Sequence, residues 1–358
     1  MPYTKGTMQR SAAYPGLSLR LLAASVLVLA IFTLSGCGGM QTAALQPATM
    51  ASPATVQSVQ LGAGTADVQV FVEPDDGKRV LTKPIRAAAR SIDLTEYLLT
   101  DKTLIHDLEY ANAKGVRVRV LLEPQPFGEG STSKSANESA YNQLYAAGIA
   151  VRWSPPYFRL TYEKAMIIDG NTAYILTTNY TYSAFTANRE FGVIDSSRQD
   201  VQAAEAIFTA DWNATTYVPR DPNLLVSPVN SRAGLLALLR RASRSVLVYA
   251  EEVQDAQIEN ALIAAHARGA QVRLISNAGD TSNSAGEARL QSGGVEVHLV
   301  HSPYIHAKMI VVDNRWAFVG SENISPTSLD QNRELGVVIT DPDALARLTT
   351  VFEGDWHS

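Results

Sequence analysis

The chain has 358 residues, 46% of them hydrophobic and 18% charged, with 30 Lys and Arg against 35 Asp and Glu and a single cysteine. Such a mixture can bury one large or two medium cores, and it excludes a disordered, collagenous or disulfide-stapled protein. The acidic balance argues against broad electrostatic binding to nucleic acid but leaves room for a local basic pocket. The first 36 residues stand apart, because Lys5, Arg10 and Arg20 precede an uncharged, largely apolar run, Leu21–Leu34. That run is too short for a comfortable membrane span and reads, with its basic flank, as a secretory signal over 1–36. Its removal takes away three basic and no acidic residues, leaving 27 basic against 35 acidic and a net of −8. Residues 37–65, without charge or aromatic rings, read as a flexible tether.

The remaining chain is expected to be a duplicated α/β unit. Ser91-Ile-Asp-Leu-Thr-Glu-Tyr begins a strand, a helical stretch ends at Gly115, and Arg117-Val-Arg-Val-Leu-Leu begins a second strand. Ser245 to Gly269, followed by Gln271-Val-Arg-Leu-Ile-Ser, repeats that plan, and in both copies the serine stands 24 residues before the glycine. Further on the repeat keeps one register. Lys164 matches Lys308, Asp169 matches Asp313, Asn179 matches Asn323, Asn188-Arg189-Glu190 matches Asn332-Arg333-Glu334, and Asp211-Trp212 matches Asp355-Trp356, each pair 144 apart. Half one is expected over 66–221 and half two over 222–358, joined by Val218–Pro228. Helical signals at Pro84 to Ser91 and Leu235 to Ser243 precede each half's second strand, and the Gly/Ser-rich stretches Phe127–Glu138 and Ala278–Glu287 read as rim loops. Trp212 and Trp356 close their halves and read as core caps.

The chemistry concentrates at Ser302–Asn323. His306-Ala-Lys308 leads into a β-branched strand, Met309–Val312, that ends at Asp313; Asn314-Arg315 reads as a turn and Trp316–Val319 as a second strand reaching Gly320-Ser321-Glu322-Asn323. The pair would set His306, Lys308, Ser321 and Asn323 side by side. An imidazole that attacks or shuttles a proton, an ammonium that clamps an oxyanion and an amide that donates to it suit a phosphodiester. This pattern of HxKxxxxD followed by GSxN resembles the signature of the phospholipase D superfamily. The resemblance covers nearly all of the chain after the tether. It implies two mixed β-sheets flanked by helices, packed about a pseudo-twofold axis with one site between the halves in a monomer. Leu34-Ser35-Gly36-Cys37 resembles the lipobox of bacterial lipoproteins, which implies a lipid on Cys37, and Gly38 implies sorting to an outer membrane.

The first copy departs from the pattern: Tyr162-Glu163-Lys164 stands where half two has His306-Ala307-Lys308, while Lys164, Asp169 and Asn179 are kept and Thr177 stands where Ser321 does. The superfamily uses its two histidines to attack phosphorus and to protonate the departing alkoxide. A phenol titrates near 10 against about 6.5 for imidazole, so Tyr162 can donate a proton but is a poor base. Three arrangements remain open. His306 forms a phosphohistidine with Tyr162 as acid; Tyr162 attacks after losing its proton; or His306 activates water for direct displacement. The first is favoured because His306 keeps its whole motif.

Lys164, Lys308, Asn179, Asn323 and Ser321 are expected to hold the phosphate, and Asp313 is counted with the catalytic group. Glu190, Glu334 and Asp169 are expected to orient it, although Glu190 and Glu334 could instead pair with Arg189 and Arg333. His298 and His301 are weaker candidates for an acid or base. No Cys/His cluster or HExxH occurs, so no metal or other cofactor is expected. The leading expectation is a membrane-anchored phosphodiesterase of the phospholipase D type in the cell envelope, hydrolysing or transferring phospholipid head groups. The alternatives are a periplasmic nuclease with the same pocket and a non-catalytic phosphate-binding protein.

Overall fold

A computed structural model describes residues 61–126 and 136–358; the signal segment, Cys37, most of the tether and part of the first rim loop lie outside the described residues. Half one contributes strands β1 (Val68–Glu73), β2 (Ser91–Glu96), β3 (Arg117–Leu122), β4 (Ala150–Trp153), β5 (Ala165–Ile168), β6 (Thr172–Leu176) and β7 (Asn188–Asp195). They lie in the order β4-β3-β2-β5-β6-β7-β1. Half two contributes β8 (Leu224–Ser227), β9 (Ser245–Tyr249), β10 (Gln271–Asn277), β11 (Glu296–Val300), β12 (Tyr304–Ile305), β13 (Met309–Val312), β14 (Trp316–Gly320) and β15 (Glu334–Ile339). Their order, β11-β10-β9-β13-β14-β15-β8, repeats that of half one strand for strand. In each sheet three strands are parallel and the hairpin side is antiparallel, so both sheets are mixed and the duplicated α/β fold is as expected.

Local signals explain the repeat. Asp101 caps helix Lys102–Ala113 by accepting from Thr103 N and Leu104 N, and Asp255 caps Ala256–Ala267 through Gln257 N and Ile258 N. Each cap is worth about 1 kcal/mol. Gly115 and Gly269, at φ +89° and +99°, then turn the chain into the next strand in a conformation that L side chains rarely adopt.

Strand alternation sorts the core into layers. Ile92 and Leu94 face outward to Leu81, Ile85, Leu104 and Leu144, while Val246 and Val248 do the same toward Leu235, Ile258 and Leu262. A third core belongs to both halves: Ile167, Ile175, Phe191 and Phe208 pack with Tyr249, Met309, Val311 and Phe352. Helices Arg198–Trp212 and Pro342–Trp356 supply residues to that shared layer, with Trp212 and Trp356 half-buried against it.

The halves also exchange backbone. Strand β12 leaves its own sheet to run parallel to β7, with Ile305 opposite Arg189, and Thr161 bridges Arg333 as the reciprocal contact. Arg189 pairs with Asp355 at 2.7 Å and Arg333 with Asp211 at 2.8 Å, so each arginine reaches the Asp-Trp pair of the other half.

Three boundaries move. The tether was expected to run to residue 65, but Leu61 is buried, Gly62 N donates to Pro222 O at 3.0 Å, and Thr65 bridges Ile339. An apolar residue and backbone partners on β15 fix this segment to half two. The joining stretch 218–228 contains β8, whose four apolar or small residues are buried against β15. The second rim loop enters a helix at Ser284, where Gly286 lies so close to Val253 O that a Cβ would come within 2.1 Å of it.

Candidate active site

The exchanged strand places the histidine. Because Ile305 is in register with Arg189, His306 N donates to Arg189 O at 3.2 Å and the imidazole falls beside Glu190, the next residue of β7. His306 Nδ1 lies 2.8 Å from Glu190 Oε1 and 3.0 Å from Oε2. In the neutral tautomer that has Nδ1 donating to this carboxylate, Nε2 carries the free lone pair, whereas the protonated ring is a cation that donates from both nitrogens. Nε2 points into the interface, 3.2 Å from the Tyr162 hydroxyl. Thr177 Oγ1 donates to Glu190 Oε2 at 2.5 Å and fixes the carboxylate from behind.

The two lysines are placed alike. Lys308 Nζ donates to His306 O at 2.6 Å and Lys164 Nζ to Tyr162 O at 2.5 Å, each folding back on the residue two before it. Lys164 Nζ stands 3.3 Å above the centroid of the Tyr162 ring, with Lys308 Nζ at 5.6 Å from the same centroid. Burial, followed by the charge of Lys308, brings Lys164 down to about 8. Burial and then the Glu251 carboxylate push the Tyr162 phenol well above its ordinary range, so it keeps its proton at neutral pH.

Glu251, absent from the sequence expectation, sits in the centre. Its Oε2 accepts from Lys308 Nζ at 2.5 Å, from Asn323 Nδ2 at 3.3 Å and from the Tyr162 hydroxyl at 3.5 Å, and lies 3.6 Å from His306 Nε2. Tyr304 donates to Oε1 at 3.1 Å. Burial pushes this carboxyl up, but the charges of His306 and Lys308, with hydrogen bonds from Lys308 and Asn323, outweigh it and hold it at about 2. One sequence signal was available: two glutamates directly after the buried run Val246–Ala250, at the carboxyl end of a parallel strand where α/β sheets bind ligands. In half one the matching residue is Tyr97, whose ring packs on Tyr162 at 4.4 Å between centroids.

Other expected residues are placed differently. Asp313 lies five residues along the strand from Lys308, about 16 Å away at 3.3 Å per residue. It accepts from the backbone N of Ser243, Arg244 and Ser245 and from Ser243 Oγ, so it clamps the hairpin to β9 and has no place among the reacting groups. Asp169 does the same for Ala89, Arg90 and Ser91. Ser321 is fully buried, and its Oγ accepts from Leu335 N at 3.2 Å, behind the pocket rather than facing it.

Asn323 faces Glu251, while Asn179, its match in half one, is half-buried with Oδ1 unpaired; each asparagine's Oδ1 lacks a donor among the described residues. Glu190 and Glu334 do not pair with Arg189 and Arg333, which are taken by Asp355 and Asp211. Glu334 Oε1 accepts from Ser328 Oγ at 2.7 Å and Asn332 Nδ2 at 3.0 Å. Burial pushes Glu334 up to about 7, and no donor of ordinary geometry reaches its Oε2 among the described residues. His298 packs on Trp356 at 5.5 Å on edge strand β11, and His301 is exposed, so neither joins the centre. No helix of the described residues is long and apolar enough to cross a membrane.

The chain resembles known proteins in both of its halves. The family described as cardiolipin synthase, PLD-like domain, matches residues 81–212 and again 235–356, one match per half. The chain is 28% identical over 337 residues to the major cardiolipin synthase ClsA of Bacillus subtilis (strain 168), covering 80% of this chain and 68% of that one. Two solved structures share the fold. Phosphatidylserine synthase of Haemophilus influenzae Rd KW20 superposes with a TM-score of 0.62 at 13% identity, over 80% of this chain and 86% of that one. Polyphosphate kinase of Porphyromonas gingivalis gives 0.63 at 17% identity, over 80% of this chain but only 46% of that one.

Proposed function

The chain belongs to the family of cardiolipin synthase, PLD-like domains, and from that membership we propose that it transfers the phosphatidyl group of a phospholipid through a phosphohistidine on His306. The observation that carries the reading is the imidazole held by Glu190 of the other half, its Nε2 aimed at the Tyr162 hydroxyl. In the first step His306 Nε2 attacks phosphorus, while Lys164, Lys308, Asn179 and Asn323 take the non-bridging oxygens. The bond from phosphorus to the head-group oxygen breaks, and Tyr162 gives its proton to the departing alkoxide. In the second step an acceptor hydroxyl adds to phosphorus, its proton goes to the Tyr162 phenolate, and the nitrogen–phosphorus bond breaks.

The acceptor is a hydroxyl-bearing lipid in preference to water, a choice supported by the cardiolipin synthases among the relatives. In this reading Cys37 carries a lipid that holds the enzyme at the envelope membrane, on the periplasmic side or the cell surface, and raises the effective concentration of its substrate. The test is turnover of mixed phospholipid vesicles with and without an added alcohol, followed by mass spectrometry. Head-group exchange is expected, and His306→Ala should lower it by about 10⁴-fold or more. Phosphate binding with no turnover on any vesicle would leave a binding protein instead.

A further inference from the structure

Glu251 occupies the place that the substrate needs. Lys308 Nζ, Asn323 Nδ2 and the Tyr162 hydroxyl all direct hydrogens at Glu251 Oε2. In the reaction above, two of these groups hold a non-bridging phosphoryl oxygen and the third protonates the leaving group. A carboxylate oxygen and a phosphoryl oxygen are interchangeable acceptors for such donors. A bound phosphate must therefore take these partners from Glu251.

The displaced carboxylate cannot go far. Its backbone follows directly on β9, whose Tyr249 is fixed between Ile275 and Met309. Its Oε1 is held by Tyr304, a residue 45% exposed at the solvent side of the pocket. Rotation toward that phenol frees Lys308 while leaving a negative charge beside the phosphoryl group.

We propose that Glu251 selects the charge state of the ligand: its carboxylate fills the half-two cradle of the empty enzyme, and it admits phosphodiester monoanions in preference to phosphomonoester dianions. This rests on reading Lys308 and Asn323 as a phosphate cradle. A diester brings one negative charge toward the displaced carboxylate, whereas a monoester at neutral pH brings close to two. Repulsion in a poorly hydrated pocket therefore grows faster for the monoester than its attraction to lysines already compensated by Glu251 and Glu334. One consequence is that any phosphomonoester formed by stray hydrolysis leaves the site. In half one Tyr97 stands at the matching position and meets Lys164 with its ring, 4.9 Å from the centroid.

The test measures calorimetric affinities at pH 7.5 for glycerol 3-phosphate and for dimethyl phosphate, on wild type, Glu251→Gln, Tyr304→Phe and Lys308→Ala, with thermal melting to confirm folding. Wild type should prefer the diester by at least about tenfold, and Glu251→Gln should tighten the monoester about tenfold and bring the two ligands within about threefold. Tyr304→Phe, which removes one anchor of the carboxylate and leaves the cradle intact, should shift the ratio the same way by a smaller factor. It serves as the deciding variant if Glu251→Gln does not fold. An unchanged ratio in the variants, with both ligands weakened by Lys308→Ala, would overturn the role of Glu251 and leave the cradle standing. Indifference of both ligands to Lys308→Ala, or no binding by any variant, would remove the cradle and this inference with it.

Discussion

Lys164 and Lys308 are related by the repeat and fold back identically, but what surrounds them differs. Half two gives its lysine an imidazole at 306 and a carboxylate at 251; half one gives its lysine two phenols, Tyr162 and Tyr97. The supporting carboxylates are equally unequal. Glu190 grips an imidazole across the interface, while Glu334 has its Oε1 satisfied locally and its Oε2 without a partner among the described residues. In the proposed reaction, a duplicated fold thus keeps both lysines for the phosphoryl group and gives the nucleophile to one half. The other half holds a proton that neutral water does not remove.

The largest effect on that comparison should come from Tyr162→Phe. Removing the hydroxyl while keeping the ring under Lys164 should cut kcat by about 10²–10³-fold with natural phospholipids. A substrate with a nitrophenol leaving group needs no proton donor, and with it the loss should shrink below about tenfold. An equal loss on both substrates would deny Tyr162 the role of acid.

Next come the two glutamates. Glu190→Gln should lower kcat by about 10²-fold, because an amide does not hold the imidazole tautomer as a carboxylate does. Glu334→Gln should change kcat at pH 7 by less than about threefold, having no imidazole to hold. It should act on pH instead. In the proposed reaction Lys164 binds a phosphoryl oxygen in its protonated form, so with its value lowered to about 8 kcat/KM should fall as the pH rises through 8. The Glu334 charge helps Lys164 keep its proton, so its removal should move that alkaline limb to lower pH. A limb that stays in place would separate it from Lys164.

The smallest difference concerns the reciprocal ion pairs. Arg333→Ala should destabilise the fold by about 3 kcal/mol, since it strands the buried Asp211. Arg189→Ala should cost less, because Asp355 still accepts from the Tyr249 hydroxyl at 2.6 Å. Denaturant melts of the two variants check the order.

Much of this was legible in the chain. The 144-residue register gave the duplication and the replaced histidine, because side chains that serve one fold position recur at one spacing. Contacts between the copies were not legible. No local pattern marks two residues, Tyr304 and Ile305, as a strand that joins the other sheet, so the pairing of His306 with Glu190 was expected only in outline. Asp313 and Ser321 were drawn into the site by the motif, yet strand geometry takes the first to the far end and turns the second toward Leu335. Glu251 lies outside the motif and reaches it only because β9 and β13 are neighbours.

The central claim is that the covalent intermediate forms in half two alone. Turnover of a phospholipid quenched rapidly in alkaline denaturant, followed by peptide mapping of the trapped phosphatidyl group, tests it directly. The group is predicted on His306; its appearance on Tyr162, with His306 unmodified, would contradict the account.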